Sequence, residues 1–78
     1  MDIKQSIGDL VREKRTKKGL TQEQLSSEAG VSNRFLQDIE AGEKMASMVT
    51  IFKLSKALNI TPDKIMLPAW KEWLKQSK

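Results

Sequence analysis

Asn33, Arg34, Gln37 and Asp38 place two carboxamides, a guanidinium and a carboxylate within six consecutive positions, at spacings that send all four to one side of a helix. A carboxamide offers a donor and an acceptor side by side, and a guanidinium offers a planar fork of donors. Such groups pair at two points with a flat hydrogen-bonding edge: Asn or Gln with adenine, Arg with guanine, while a carboxylate accepts from the cytosine amine. Asp38 carries a second meaning, because a carboxylate also repels phosphate. The intervening Leu36 and Ile39 are apolar and face the other way, toward a core. The chemistry on offer is hydrogen-bond reading of base edges by an outward-facing helix, and the bland counterpart is an ordinary polar helix face.

The residues around this cluster must build and aim that helix. The stretch Thr21 to Gly42 reads TQEQLSSEAGVSNRFLQDIEAG. Thr21 caps a first helix, with Gln24 three positions on at the capping-box spacing. Leu25 and Ala29 lie one turn apart on its inner face. Gly30 supplies the left-handed residue that ends it, and Ser32 caps the next. Two short helices joined by a tight turn result, a helix-turn-helix.

Elsewhere the apolar spacing is helical throughout. Ile3, Ile7, Leu10 and Val11 predict a first helix over about Ser6 to Lys18, ended by Gly19, with Gly8 a weak point costing about 1 kcal/mol relative to Ala. Ser47 caps a fourth helix with Met48, Ile51, Leu54, Ser55 and Leu58 inward, and Asn59 is its stop. Thr61 and Pro62 start a fifth, expected to be short, from Pro62 to Met66. Pro68 is expected to break the chain, leaving Ala69 to Gln76 for a last amphipathic turn or two. No segment alternates as a half-buried strand would.

Size and composition exclude more than they assign. The chain has 78 residues, no cysteine and no histidine, so disulfides and the usual zinc ligands are absent and no side chain ordinarily titrates near neutrality. No Gly-rich phosphate loop or paired catalytic carboxylates stand out, and an enzyme, a cofactor and a small-molecule ligand are not expected. No apolar run is long enough to span a bilayer, and the first residues lack a signal peptide's apolar stretch, so a cytoplasmic protein without membrane contact is expected. The formal net charge is +4, unevenly spread. Arg12, Lys14, Arg15, Lys17 and Lys18 stand against Glu13 in residues 11–20, whereas Arg34 alone stands against Glu23, Glu28, Asp38, Glu40 and Glu43 in residues 21–43. A basic balance suits a polyanion, although solvated helix faces give the same count.

The segments IGDLVREKRTKKGLTQEQL (7–25), AGVS (29–32), IEAG (39–42) and SMVTIFKLSKALNIT (47–61) together resemble the Cro/cI-type, or XRE-type, helix-turn-helix family. The resemblance implies an all-α, five-helix lambda-repressor-like DNA-binding domain over residues 1–67, followed by a short C-terminal tail at 68–78. It also implies a sequence-specific transcriptional regulator, a repressor or autoregulator, that binds double-stranded DNA as a homodimer on a two-fold operator. Carried over by position, it makes Asn33, Arg34, Gln37 and Asp38 base readers, and Gln22, Ser32 and Lys44 phosphate contacts. Gln22 also suits a phosphate physically, because a helix N-terminus presents free N–H groups and partial positive charge. Arg15 and Glu40 take the places of a structural ion pair between helices 1 and 3.

Some positions depart from the family pattern. The loop after Gly42 reads EKMAS, with Lys44 its only cation and no proline. Met45 is unexpectedly apolar, and Val49 stands where a solvated Glu is usual; both are candidate dimer contacts. In the tail, Trp70, Trp73 and Leu74 share one helix face and either cover the domain's own core or meet a second copy. The alternative function is a protein-interaction module with the same fold that no longer reads DNA, motivated by the acidic balance of residues 21–43 and by the weak loop.

Overall fold

The computed structural model describes residues 2–76; Met1 and the last two tail residues, Ser77 and Lys78, lie outside the described residues. The described chain is all-α: α1 (Ile3–Lys17), α2 (Gln22–Ala29), α3 (Asn33–Glu40), α4 (Met48–Ala57) and α5 (Asp63–Gln76). Each of the first four helices begins at a side-chain cap. The Asp2 carboxylate accepts from Gln5 N at 2.9 Å, Ser32 Oγ from Phe35 N at 3.0 Å, and Ser47 Oγ from Thr50 N at 3.1 Å. Thr21 forms the full capping box, its Oγ1 accepting from Gln24 N at 3.1 Å while its own N–H donates to Gln24 Oε1 at 2.8 Å. Gly30 ends α2 at φ 72°, a left-handed value that only glycine adopts at little cost.

The helices bury one stripe each. Ile7 and Val11 of α1, Leu25 of α2, Leu36 and Ile39 of α3, Ile51, Leu54 and Leu58 of the α4 segment, and Ile65 and Ala69 of α5 form a single core. Helix α1 packs against α3 and α5, and α2 against α3 and α4. Phe35 and Val31 pack on its edge. Gly8 sits where α1 crosses the end of α3: a Cβ there would overlap the Ile39 carbonyl oxygen. The weak point expected from helix propensity is therefore what lets the two backbones approach.

Three expectations are corrected. Helix α1 starts at Ile3 rather than near Ser6, because Asp2 supplies a cap one turn earlier. Met48 does not belong to the inner stripe of α4 and is exposed; Thr50 is buried in its place, alongside Ser55 as expected. Pro68 does not break the chain. It lies inside α5 and on an exposed face, so its ring points to solvent. It is the sixth residue of the helix, past the first turn, so one backbone bond is lost, and burial of Ile65 and Ala69 on either side of it offsets that loss. Residues 68–76 thus continue the fifth helix.

Candidate nucleic-acid interface

Helix α3 holds its polar face outward because its other face is fixed at three points: Leu36 and Ile39 in the core, and Glu40 at the last turn, all fully buried. The Glu40 carboxylate is compensated from two other helices. Arg15 Nε donates to its Oε2 at 2.7 Å and Arg15 Nη2 to its Oε1 at 2.9 Å, and Gln22 Nε2 adds a third bond to Oε1 at 3.0 Å. Arg15 Nη1 also donates to the Leu20 carbonyl at 2.8 Å, tying in the link between α1 and α2. Hydrogen bonding to Glu40 raises the Arg15 pKa above the ordinary arginine value; burial opposes this, and the attraction of the Glu40 charge adds to it.

Arg12, which sequence reasoning left on a solvated face, belongs to the same cluster. Its Nη2 donates to the Glu40 carbonyl at 3.1 Å and its Nε lies 3.6 Å from Glu40 Oε1. Arg12 and Gln22 therefore converge on one carboxylate oxygen at the mouth of the α2 N-terminus. The signal was present in the sequence as the three-residue spacing of Arg12 and Arg15, which puts both on one side of α1.

On the outer face of α3, the Arg34 side chain is 83 % exposed and Asp38 only 15 %. Arg34 Nε donates to Asp38 Oδ1 at 3.3 Å, and Lys44 Nζ lies 3.3 Å from Asp38 Oδ2. Gln37 is exposed beside them, its side chain without a hydrogen bond among the described residues. Asn33 is half-buried at the first turn, with its Oδ1 enclosed and without a partner; pairing through both ends of its amide requires a side-chain rotation. Ser32 uses its hydroxyl oxygen as the helix cap and keeps its own hydrogen to donate. One amide hydrogen of Gln22 goes to Glu40, leaving the second. The structure thus brings Asn33, Arg34, Gln37, Asp38 and Lys44 to one side of α3.

The local charge differs from what the sequence count suggests. Of the five acids in residues 21–43, Glu40 is buried against Arg15 and Arg12, and Asp38 is spanned by Arg34 and Lys44. Glu23, Glu28 and Glu43 remain exposed.

Two further groups of exposed side chains are apolar. Leu67, Trp70, Trp73 and Leu74 are exposed along α5, and Met45, Met48, Val49 and Phe52 along the start of α4 and the loop before it. Trp70 and Trp73 stack on each other with ring centroids 5.6 Å apart, yet stay 52 % and 45 % exposed. Met48 and Phe52 belong to the second group, with the expected Met45 and Val49. Among the described residues no helix is long and apolar enough to cross a membrane.

Comparison with known proteins agrees with this geometry. The profile of the family described as "Helix-turn-helix" matches residues 11–65. The chain is 33 % identical over 66 residues to the control protein C.SmaI of Serratia marcescens, covering 85 % of this chain and 79 % of that one. It is 29 % identical over 68 residues to an uncharacterised HTH-type transcriptional regulator of Sinorhizobium fredii, covering 87 % and 88 %. Among solved structures it is similar to the restriction-modification controller protein C.AhdI of Aeromonas hydrophila, with a TM-score of 0.78 and 37 % identity over 80 % of this chain and 94 % of that one.

Proposed function

The chain belongs to the helix-turn-helix family and is a DNA-binding transcriptional regulator; we propose that it acts as a homodimeric repressor or autoregulator that reads a two-fold operator. The observation that carries the reading is the presentation of Arg34: a guanidinium 83 % exposed on a helix anchored from behind by a fully buried carboxylate. A rigid helix bearing Asn33, Arg34 and Gln37 on its outer face fits a major groove. Each two-point contact with a base is worth about 1–3 kcal/mol of discrimination.

Gln22, Ser32, Lys44 and Arg12 serve the phosphates on either side. Gln22 and Ser32 stand at helix N-termini, where free amides and the helix dipole favour an anion. Arg12 joins Gln22 through their shared carboxylate oxygen. The acidic balance that motivated the interaction-module alternative loses force here, since two of its five carboxylates are engaged by cations.

Dimerisation rests on the apolar side chains exposed along α5. Leu67, Trp70 and Leu74 follow each other at three- and four-residue steps on α5, the pattern of a helix seam. Trp, Met and Phe are the side chains enriched at the centres of interfaces. A standard interface takes about 800 Å² from each partner, roughly a sixth of the 4898 Å² surface of this chain. Two copies then set their reading helices about one DNA turn, ~34 Å, apart.

Selection of bound duplexes from a randomised pool at ~150 mM salt, where phosphate-only binding is weak, tests the whole reading. The expected product is a two-fold motif with half-sites about one turn apart. Recovery of no motif by the folded protein would return the interaction module to first place. The description of C.AhdI as a restriction-modification controller protein favours one narrower role, control of a restriction–modification operon. Its check is whether the selected motif lies upstream of neighbouring endonuclease and methyltransferase genes.

A further inference from the structure

Asp38 places a negative charge on the reading face of α3, beside the groove edge where phosphates would lie. Both of its carboxylate oxygens are engaged: Oδ1 by Arg34 Nε and Oδ2 by Lys44 Nζ, each at 3.3 Å. Its main-chain carbonyl is engaged as well, accepting from Glu43 N at 2.8 Å and Lys44 N at 3.3 Å. Lys44 is thus held to α3 at both its amide and its ammonium. With its side chain 15 % exposed, this carboxylate is poorly placed to accept from a cytosine amine, the role that its residue type suggests.

We propose that Asp38 is a positioning residue that aims Arg34 and fixes Lys44, and reads no base itself. The proposal rests on the reading above, in which Arg34 contacts guanine and Lys44 a phosphate. Binding Arg34 through Nε leaves the two terminal nitrogens of the fork free, the donor pair that matches guanine O6 and N7. The same carboxylate offsets one of the two cations, so the unpaired pull of Arg34 and Lys44 on any phosphate is reduced. Asp38 therefore lowers attraction to arbitrary DNA while sharpening the choice of base. Both effects raise the ratio of specific to non-specific binding, which decides occupancy among many competing sites.

The test compares wild type with Asp38→Asn and Asp38→Glu on three duplexes: the selected operator, the same operator with the Arg34-contacted guanine replaced, and a random sequence. Each is measured over a salt series alongside the thermal midpoint. Asp38→Asn is expected to bind random duplex several-fold more tightly, with a salt slope steeper by about one as a cation is freed for phosphate. Its preference for the guanine is expected to fall about tenfold. Asp38→Glu keeps the charge but not the reach, and is expected to bind random duplex like wild type while losing part of the base preference. In an Arg34→Ala background, Asp38→Asn is expected to leave base preference unchanged. A further loss of preference at a C·G pair in that background would make Asp38 a base reader and overturn the proposal. So would an equal loss on all three duplexes in step with a lowered thermal midpoint, which would reduce Asp38 to a structural part. A wild-type protein that selects no sequence would instead remove the DNA-reading function itself, and this proposal with it.

Discussion

Arg15 and Glu40 join the first and third helices through a fork-to-fork ion pair whose carboxylate has no exposure to solvent. Gln22 bonds the same carboxylate and Arg12 the Glu40 carbonyl, so this one glutamate holds α3 against α1 and the start of α2. Such a group is costly to bury and more costly to strand.

Replacing Arg15 with Ala leaves that carboxylate short of its main partner, and a loss of about 3–5 kcal/mol in chemical denaturation is expected. Arg15→Lys, which keeps the charge but not the fork, should recover only part of it. A loss below ~1 kcal/mol would mean that the pair behaves as an exposed one. The pH dependence follows from the direction of the Arg15 shift. Its folded-state pKa is raised, so its contribution is fully present below the ordinary arginine pKa and disappears only as pH climbs through the higher folded value. Denaturation midpoints should therefore not move on account of Arg15 between about pH 6 and 9.

Gly8→Ala improves intrinsic helix propensity by about 1 kcal/mol but pushes a methyl group into the Ile39 carbonyl of α3. Overpacking of this kind costs about 1–3 kcal/mol, and the backbone it strikes is that of α3, the proposed reading helix. A lowered denaturation midpoint together with weaker operator binding is expected. A stabilised variant would show that α1 can shift away from α3 freely.

Arg34→Ala and Arg12→Ala should separate reading from steering. Removing Arg34 is expected to cost about 1–3 kcal/mol on the operator and much less on random duplex. Removing Arg12 should weaken both duplexes alike and flatten the salt slope by about one. Gel-shift titrations over a salt series measure both; an unchanged sequence preference in Arg34→Ala would remove it from the list of readers.

Trp70→Lys combined with Trp73→Lys should abolish the proposed dimer in sedimentation, with helical content retained. Point substitution is the proper test, because truncation after Leu67 would also remove Ala69, which is buried in the core. An unchanged dimer mass would place the interface elsewhere, with Met45, Met48, Val49 and Phe52 the next surface to alter.

The parts of the fold legible in the sequence were those set by local rules. Thr21 with Gln24, Ser32, Ser47 and Gly30 each fix a helix boundary through one short hydrogen bond or one dihedral angle. What escaped was set by tertiary contact. Proline read locally is a break, yet Ile65 and Ala69 bury on either side of Pro68 and carry the helix through it. Glycine read locally is a cost, yet Gly8 lies at a helix crossing. At the interface, residue types pointed to Arg34 and Gln37 without the geometry. The pairing of Asp38 with both Arg34 and Lys44, and of Arg12 with Glu40, depends on where a loop and a separate helix are packed, which no spacing rule along one helix contains.

The chain has two tryptophans and no tyrosine, and both indoles lie in one stacked pair on α5. Its near-ultraviolet absorbance and fluorescence therefore originate almost wholly from that helix. The protein carries an intrinsic optical label at the surface where a second copy is proposed to sit. Emission followed on simple dilution reads burial of that label, and its disappearance in the tryptophan variants identifies the source of the signal.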